Sequence, residues 1–449
     1  MGIVNLQRSR TKITFFGGVG EIGGNKILVE DLDTRVFLDF GMGFSERRRF
    51  YQEPWLSPRD ERGLLEFGML PEIKGIYKFD ERPKSLDAVF LSHSHADHSA
   101  YVSFLKREIP VYCGETTQII LKALSETRPR RFETDISNIE FRSFRTGQKI
   151  KVGSIQVEPL HVDHSVPGAY GFLVHTSEGS IAYTGDVRVH GRRSDMTGDF
   201  VRAARESEPS ILLLEGTNIL GGGVLSESEV EAKLDQVVSA TEELVMADFS
   251  YSDIDRLNTF KKVAEKNRRF LAISLRQAHT LSELRKDKAL KVPDVFGEDI
   301  VIFRKGKRRF YDWEEEILDR GNVKDASQVR SIQDKTILVS SFSDMKELID
   351  IRPRFGSNFI LSTSEPYNEE QAIEYDKFIN WLDHFGLPLY HIHCSGHMMP
   401  NDMKEISKAV TPRRLFPIHT DHPELVGRYL RKVVEIEVPV KGGSYSLSR

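Results

Sequence analysis

The sequence predicts an α/β fold with more than one domain. Short apolar runs recur along the chain, and many of them end in an acidic residue or a histidine. From about residue 217 to residue 385, helical segments alternate with short apolar strands, which is typical of a parallel sheet. A length of 449 residues leaves room for two or three domains, each with its own core.

The composition is that of an ordinary globular protein, with 39% hydrophobic and 29% charged residues. The net charge of −4 does not favour nucleic-acid binding, so any basic surface must be local. Cys113 and Cys394 lie far apart in sequence and predict no disulfide framework, which favours a reducing cytoplasmic location. Without an apolar leader or a run of about 18 apolar residues, we expect neither secretion nor a membrane partner.

The segment from Leu91 to His98 has four residues of the types that bind metal ions, in the pattern His93-x-His95-x-Asp97-His98. A strand over residues 85–91 is predicted before it, and a helix from residue 99 to residue 107 after it. Side chains two residues apart in an extended segment point the same way, so two of the histidines can hold one metal ion. The acid and the last histidine lie past the turn and can hold a second ion. Three ordinary surface histidines are the alternative, which the density of ligand-type residues argues against.

Other apolar runs also end in ligand-type residues. These are Asp39, His161 with His164, Asp186, Glu215 and His419. Repeated strands that end in polar side chains predict a site built along one sheet edge.

The order of these motifs resembles the metallo-β-lactamase superfamily. The segments 16–25, 162–168, 359–366 and 393–397 are similar to those of the ribonuclease J branch. Glu215, His397 and His419 match the three extra motifs of the β-CASP subgroup, whose members process nucleic acids. The resemblance covers nearly the whole chain, and the combination of motifs is specific where each motif alone is not.

The resemblance implies a metallo-β-lactamase αββα sandwich with an inserted β-CASP α/β domain on a parallel sheet. We therefore expect residues 1–216 and 386–449 to form the metallo-β-lactamase domain, and residues 217–385 to form the β-CASP domain. The substrate would lie in the cleft between them. The chain ends shortly after the last motif, as in the compact archaeal forms of ribonuclease J.

The resemblance also implies roles for site residues. Two divalent ions, zinc or manganese, would be bound by His93, His95, Asp97, His98, His164, Asp186 and His419, with Asp186 between the ions. The matching context of His164 favours it over His161, which we expect to support a metal ligand or to be structural. Asp39 would orient a ligand histidine. Catalytic roles fall to Asp97, Asp186, Glu215 and His397.

For the substrate, the resemblance implies a pocket for a 5′-monophosphate and contacts to the RNA backbone. The pocket would be formed by Ser395, Gly396, Ser362 and Ser364, and the backbone contacts would come from Arg256 and Arg276. The basic run 305–309 is expected to be a solvated hairpin tip.

These inferences predict a cytoplasmic, metal-dependent ribonuclease that acts as a 5′→3′ exonuclease on 5′-monophosphorylated RNA, and that forms a homodimer. His419 at the third extra motif is a feature of RNA-processing members rather than of the DNA-repair nucleases. Two alternatives stay open, an endonuclease of the polyadenylation-factor type and a metallo-hydrolase of small substrates. A catalytically inactive RNA-binding subunit is less favoured, because every expected ligand position is occupied by a histidine or an aspartate.

Overall fold

The computed structural model describes residues 10–52, 55–128, 131–223, 226–363 and 369–448. In chain order, the strands are β1 Thr11–Gly17, β2 Lys26–Asp31, β3 Thr34–Leu38, β4 Ala88–Phe90, β5 Val111–Gly114, β6 Phe141–Phe144, β7 Ile150–Val152, β8 Ile155–His161, β9 Tyr170–Thr176, β10 Gly179–Tyr183, β11 Ile211–Glu215, β12 Val245–Asp248, β13 Phe270–Ser274, β14 Ile300–Arg304, β15 Val323–Asp325, β16 Thr336–Val339, β17 Asn358–Leu361, β18 Leu389–His391, β19 Arg414–Ile418, β20 Glu435–Ile436 and β21 Ser444–Ser446.

The α-helices, in the same order, are α1 Phe44–Phe50, α2 Glu61–Glu66, α3 Ala96–Ser99, α4 Glu115–Thr127, α5 Ser194–Glu206, α6 Glu227–Ala240, α7 Ile254–Lys266, α8 Leu275–Leu284, α9 Asp312–Arg320, α10 Ala326–Ser331, α11 Leu348–Ile351, α12 Glu369–Phe385, α13 Pro400–Val410 and α14 Pro423–Leu430. Among the helices of the described segments, none combines the length and the apolarity needed to cross a bilayer.

Two seven-stranded sheets, β21-β1-β2-β3-β4-β5-β6 and β20-β19-β11-β10-β9-β8-β7, pack face to face. Alternate side chains of their strands meet in one buried cluster, to which Ile27 and Leu213 both belong. Their sequence neighbours point outward because the side-chain period of a strand is two. Leu28 packs under α2 and α4, and Leu212 packs under α5, α13 and α14. The predicted αββα sandwich is therefore confirmed.

The third seven-stranded sheet has the order β15-β14-β13-β16-β12-β17-β18, and all of its strand pairs are parallel. Its strands are apolar on both faces, as buried parallel strands are, with Val245 in one core cluster and Met246 in another. The chain enters this sheet after β11 and leaves it before β19, although β11 and β19 pair with each other in the sandwich. The predicted insertion of an α/β unit with a parallel sheet is confirmed.

Two details of the predicted organisation are wrong. Residues 386–449 are predicted to belong to the sandwich, but β18 within this range pairs with β17 in the third sheet. An apolar pattern identifies a strand without identifying its neighbour. The helix after the histidine motif begins at Ala96 instead of Ser99, so Asp97 and His98 lie on α3 itself.

Candidate active site

The candidate site lies where strands of both sandwich sheets end. Asp39 follows β3, the histidine motif follows β4, His164 follows β8 and Asp186 follows β10; Glu215 ends β11, and His419 follows β19. Because β3 pairs in parallel with β4, and β11 in parallel with β10 and β19, their carboxyl ends share an edge. This is why ligand-type residues from distant parts of the chain meet.

The first group of ligand atoms is formed by His93, His95, His164 and Asp186, and these atoms all lie within 4.8 Å of one another. His95 Nδ1 lies 3.0 Å from His93 Nε2 and 3.2 Å from His164 Nε2. Asp186 Oδ2 lies 3.6 Å from His93 Nε2 and 3.7 Å from His164 Nε2. Three imidazole nitrogens and one carboxylate oxygen are a donor set that suits a divalent transition metal.

The second group is formed by Asp97, His98, His419 and again Asp186. Asp186 Oδ2 lies 3.2 Å from His98 Nε2, and its Oδ1 lies 3.7 Å from His419 Nε2. Asp97 Oδ2 lies 3.2 Å from His419 Nε2. Asp186 therefore belongs to both groups, with Oδ2 close to histidines of each group and Oδ1 close to His419.

The Asp39 carboxylate contacts His98 on the side of the ring that faces away from the ligand cluster. Its Oδ2 lies 2.7 Å from His98 Nδ1, so an Nδ1–H would donate to the carboxylate and leave the Nε2 lone pair directed at the cluster. The same carboxylate accepts hydrogen bonds from the Ser92 amide at 2.7 Å, from the Ser92 hydroxyl at 2.8 Å and from the Tyr183 hydroxyl. Asp39 has φ of 58°, a left-handed conformation that aspartate and asparagine tolerate better than most residues.

The protonation states of the cluster follow from burial and from neighbouring charges. Burial lowers the pKa of His93 and His164 well below the usual value, which keeps both imidazoles neutral. Burial alone would raise the pKa of Asp97, but the imidazoles of His98 and His419 hold it well below the usual range. Despite its burial, His98 has a strongly raised pKa because three carboxylates surround it, led by Asp186. A site that favours a proton at this position also favours a metal cation.

His397 lies beside this cluster and is paired with Glu215. Glu215 Oε1 lies 3.5 Å from His397 Nδ1, and Asp186 Oδ2 lies 4.0 Å from the same atom. Burial by itself would lower the pKa of His397, but the Glu215 and Asp186 carboxylates raise it to about 9. Glu215 is held by the backbone N–H groups of Thr217 at 2.9 Å and Met398 at 3.1 Å. At neutral pH, His397 is therefore an imidazolium with a fixed counter-ion.

The turn before His397 packs directly against His164. Gly396 accepts at its carbonyl from His164 Nδ1 at 2.6 Å, and a Cβ on this glycine would come within 3.0 Å of the imidazole ring. No larger residue fits without displacing that histidine. The Ser395 hydroxyl accepts from Asn218 Nδ2 at 2.9 Å and from the His397 amide at 3.2 Å, while its carbonyl lies 2.9 Å from His190 Nε2.

The structure does not bring all of the predicted substrate residues to the cleft. Arg256 is fully buried, where its guanidinium bonds Glu227 and the Ser362 hydroxyl, so the expected contact to an RNA backbone is wrong for this residue. The Ser362 hydroxyl also donates to a backbone carbonyl at 2.6 Å, so it is already engaged. Ser364 lies outside the described residues. Arg276 is exposed at the start of α8, as its predicted role requires.

Sequence reasoning missed several residues that support the site. Thr217 Oγ1 lies 2.8 Å from His419 Nδ1 and 3.2 Å from His397 Nδ1, and so bridges two histidines. Asn218 donates to the Ser395 hydroxyl and, at 3.0 Å, to the His397 carbonyl. The position of both residues directly after the Glu215 motif was the available signal. His161 is absent from every group of ligand atoms among the described residues, and its ring stacks on Tyr170.

Comparison with known proteins supports the resemblance that the motifs predict. Residues 72–217 match the model of a beta-lactamase superfamily domain. Ribonuclease J of Mycoplasma genitalium is 22% identical over 438 residues, which cover 92% of this chain and 68% of that protein. Ribonuclease J of Mycolicibacterium smegmatis is 24% identical over 423 residues, which cover 91% of this chain and 68% of that protein.

A crystal structure of a protein of unknown function from Enterococcus faecalis superposes with a TM-score of 0.77 at 24% identity. The match covers 97% of this chain and 99% of that one, and it shows a shared fold. The chain therefore has the metallo-β-lactamase fold and resembles ribonuclease J over most of its length.

Proposed function

We propose that this metallo-β-lactamase-fold relative of ribonuclease J is a metal-dependent ribonuclease that hydrolyses RNA phosphodiesters. The observation that carries the proposal is the pair of overlapping His/Asp groups that share Asp186, with the His397–Glu215 pair directly beside them. A dinuclear centre next to a cationic imidazole suits phosphodiester hydrolysis, in which negative charge accumulates around phosphorus.

The residues present fit a metal pair. Two buried atoms that face the cluster, His98 Nε2 and Asp186 Oδ1, have no hydrogen-bond partner within the described part of the chain. Buried polar atoms without partners are costly, and a cation would satisfy both of them. His93, His95 and His164 would hold one ion and Asp97, His98 and His419 the other, with Asp186 shared. The preponderance of imidazoles favours zinc, and manganese is the alternative.

When bound, the two ions supply a nucleophilic water at neutral pH and neutralise the phosphoryl oxygens. The chain's own residues supply the remaining chemistry. Asp39 fixes the tautomer of His98, and Thr217 orients His419 and His397 through one hydroxyl. Since Nδ1 of His397 faces Glu215, the proton that His397 gives to the leaving oxygen is the one on Nε2.

We further propose 5′→3′ exonuclease activity on 5′-monophosphorylated RNA. The turn formed by Ser395 and Gly396 adjoins both His164 and His397, so a terminal phosphate bound there would lie within one nucleotide of the reacting centre. Backbone N–H groups and a hydroxyl in such a turn suit an anion. Because Ser362 is engaged with Arg256, we assign the phosphate to the 395–397 turn and leave Ser362 a supporting role. The third sheet would be the β-CASP domain.

The test uses one RNA, labelled at its 3′ end, that carries either a 5′-monophosphate or a 5′-triphosphate. With zinc or manganese added, we expect release of mononucleotides with a strong preference for the monophosphate. Asp97→Ala is the inactive control, since it removes one metal ligand from the short helix α3. Internal fragments regardless of the 5′ end would replace the exonuclease proposal with an endonuclease. Turnover of small esters without turnover of RNA would refute the ribonuclease itself.

A further inference from the structure

One buried guanidinium contacts four different segments of the chain. Arg188 follows β10, and its side chain has no exposed surface. Its Nε donates to Asp163 at 3.1 Å, and its Nη1 donates to Glu227 at 3.0 Å. Its Nη2 lies 3.5 Å from Asp255 Oδ2, and Nη1 also lies 3.8 Å from Cys394 Sγ. These four partners belong, in that order, to the loop after β8, to α6, to α7 and to the segment that returns from the third sheet.

Arg188 and Asp163 also contact each other through the backbone. The Arg188 amide donates to the Asp163 carbonyl at 2.8 Å. The Thr197 hydroxyl donates to the Arg188 carbonyl at 2.8 Å and accepts from the Asp163 amide at 3.0 Å. Asp163 directly precedes His164, and Arg188 comes two residues after Asp186; both of these belong to the first group of ligand atoms. A displacement of the guanidinium would therefore disturb two of the four ligands of that group.

A second buried arginine extends these contacts into the inserted α/β unit. Arg256 Nη2 lies 3.1 Å from Glu227 Oε1, so one carboxylate binds both guanidinium groups. Arg256 also bonds the Ser362 hydroxyl, which donates to the Ile392 carbonyl at 2.6 Å. Ile392 belongs to the segment that leads to the 395–397 turn. The network therefore reaches the candidate site from a second direction.

The arrangement fixes positions as well as contributing to stability. Apolar side chains could fill the same space, and replacing a buried ion cluster in that way is often neutral or stabilising. An arginine adds direction, because its five N–H donors lie in one plane and define where each carboxylate must be. Gly191 accommodates this geometry, since a Cβ there would collide with Arg188 Nε and Asp163 Oδ2.

We propose that Arg188 is a positioning residue for the metal centre. It holds the His164 loop and the segment before His397 in fixed positions relative to α6 and α7, so the inserted unit contributes to metal affinity without supplying a ligand. The inference rests on the metal centre of the proposed function and does not depend on the substrate. It also gives Arg256 a role, since its charge serves this network in place of an RNA backbone.

The first test is Arg188→Met, which fills a similar volume without any N–H donor. Metal affinity is measured by competition with a chromogenic chelator, using zinc, and stability is measured by urea unfolding. Loss of a group that orients a metal-ligating side chain costs about 10–100-fold in metal affinity. We therefore expect Arg188→Met to bind zinc at least about tenfold more weakly than the parent.

Arg414 supplies the matched control. Its guanidinium is also largely buried in the sandwich, where it pairs with Glu437 at 2.8 Å and donates to the Leu447 carbonyl at 3.2 Å. Arg414→Met should lower the free energy of unfolding and still bind zinc within about twofold of the parent. Equal zinc affinities for a folded Arg188→Met protein and for Arg414→Met would overturn the inference and leave the proposed function standing. A parent protein that binds no metal would refute both.

Hydrogen exchange of the parent tests the inference even where Arg188→Met does not fold. Coupling between two sites is reciprocal, so contacts that raise metal affinity are themselves stabilised when metal binds. We expect zinc to slow amide exchange in α6 and α7, which carry Glu227 and Asp255, more than in α9. The helix α9 belongs to the same unit and supplies none of the residues of the network. Equal slowing in the three helices, or none in α6 and α7, would overturn the role of Arg188.

Discussion

Replacing Asp39 with asparagine tests whether this buried carboxylate controls the metal centre through His98. In the parent, Asp39 Oδ2 accepts from His98 Nδ1 at 2.7 Å, so the neutral imidazole has its lone pair on Nε2, which faces Asp186. An asparagine amide at the same place donates to Nδ1 and moves the imidazole proton to Nε2. That proton would lie where the metal should bind.

The magnitude follows from the contacts of Asp39. Replacement of a residue that supports a metal-ligating histidine costs about 10–100-fold in metal affinity, or about 1.4–2.7 kcal/mol. The asparagine oxygen can keep the 2.7 Å bond from the Ser92 amide, but its NH₂ has two hydrogens for three neighbours, which are His98 Nδ1 and the Ser92 and Tyr183 hydroxyls. The negative charge and one hydrogen bond are lost, so we expect the free energy of unfolding of the metal-free protein to fall by about 1–3 kcal/mol.

The assay has two parts, metal titration against a chromogenic chelator and urea unfolding of the metal-free protein. Asp87→Asn is the matched control, since Asp87 accepts from the Arg35 amide at 2.9 Å in the same sheet, and its carboxylate belongs to neither metal-ligand group. We expect the control to bind metal as the parent does. A folded Asp39→Asn protein with metal affinity within about twofold of the parent would refute the tautomer argument.

Three further variants test other parts of the account. Glu215→Gln removes a carboxylate that raises the pKa of His397, so the imidazolium should lose its proton at lower pH. The high-pH limb of the kcat profile for RNA hydrolysis should then move to lower pH. A limb at the same pH as in the parent would contradict the role of His397. Glu227→Ala leaves the buried guanidinium groups of Arg188 and Arg256 without their shared carboxylate. The free energy of unfolding in urea should therefore fall by about 3–5 kcal/mol. A fall of less than about 1 kcal/mol would exclude a structural role for this cluster. Burial and the nearby Asp344 raise the pKa of Asp248 from 3.8 to about 7, so its contribution to stability is complete below the unfolded-state pKa and lost as the pH rises through about 7. In calorimetry, Asp248→Asn should therefore raise Tm near pH 8 but not near pH 4. An equal change in Tm at the two pH values would contradict the raised pKa of Asp248.

Much of the fold and of the ligand cluster could be predicted because both depend on local pattern. Asp39, Asp186 and His419 each follow an apolar run, and parallel strands bring their carboxyl ends to one edge. The two-residue period of a strand also predicts which residues face the core between the sheets. No knowledge of distant contacts is needed for either step.

The failures share a physical reason, since each depends on a partner far away in the sequence. Arg256 lies in the first turn of a helix, where a sequence pattern predicts exposure, yet Glu227 and Ser362 bury it. The strand near residue 389 carries a correct apolar pattern, but only the folded chain shows that it pairs with β17. The basic run 305–309, read alone, predicts a solvated tip, yet Lys305 is paired with Asp344 and Lys307 with Glu314.

The most direct test of the central claim is the metal dependence of RNA hydrolysis. The protein is stripped with a chelator, shown to be metal-free by elemental analysis, and then titrated with zinc or manganese while hydrolysis of a 3′-labelled, 5′-monophosphorylated RNA is measured. The account predicts no hydrolysis by the stripped protein and recovery that saturates at about two ions per chain. Full hydrolysis by the metal-free protein, or none at any metal loading, would contradict it.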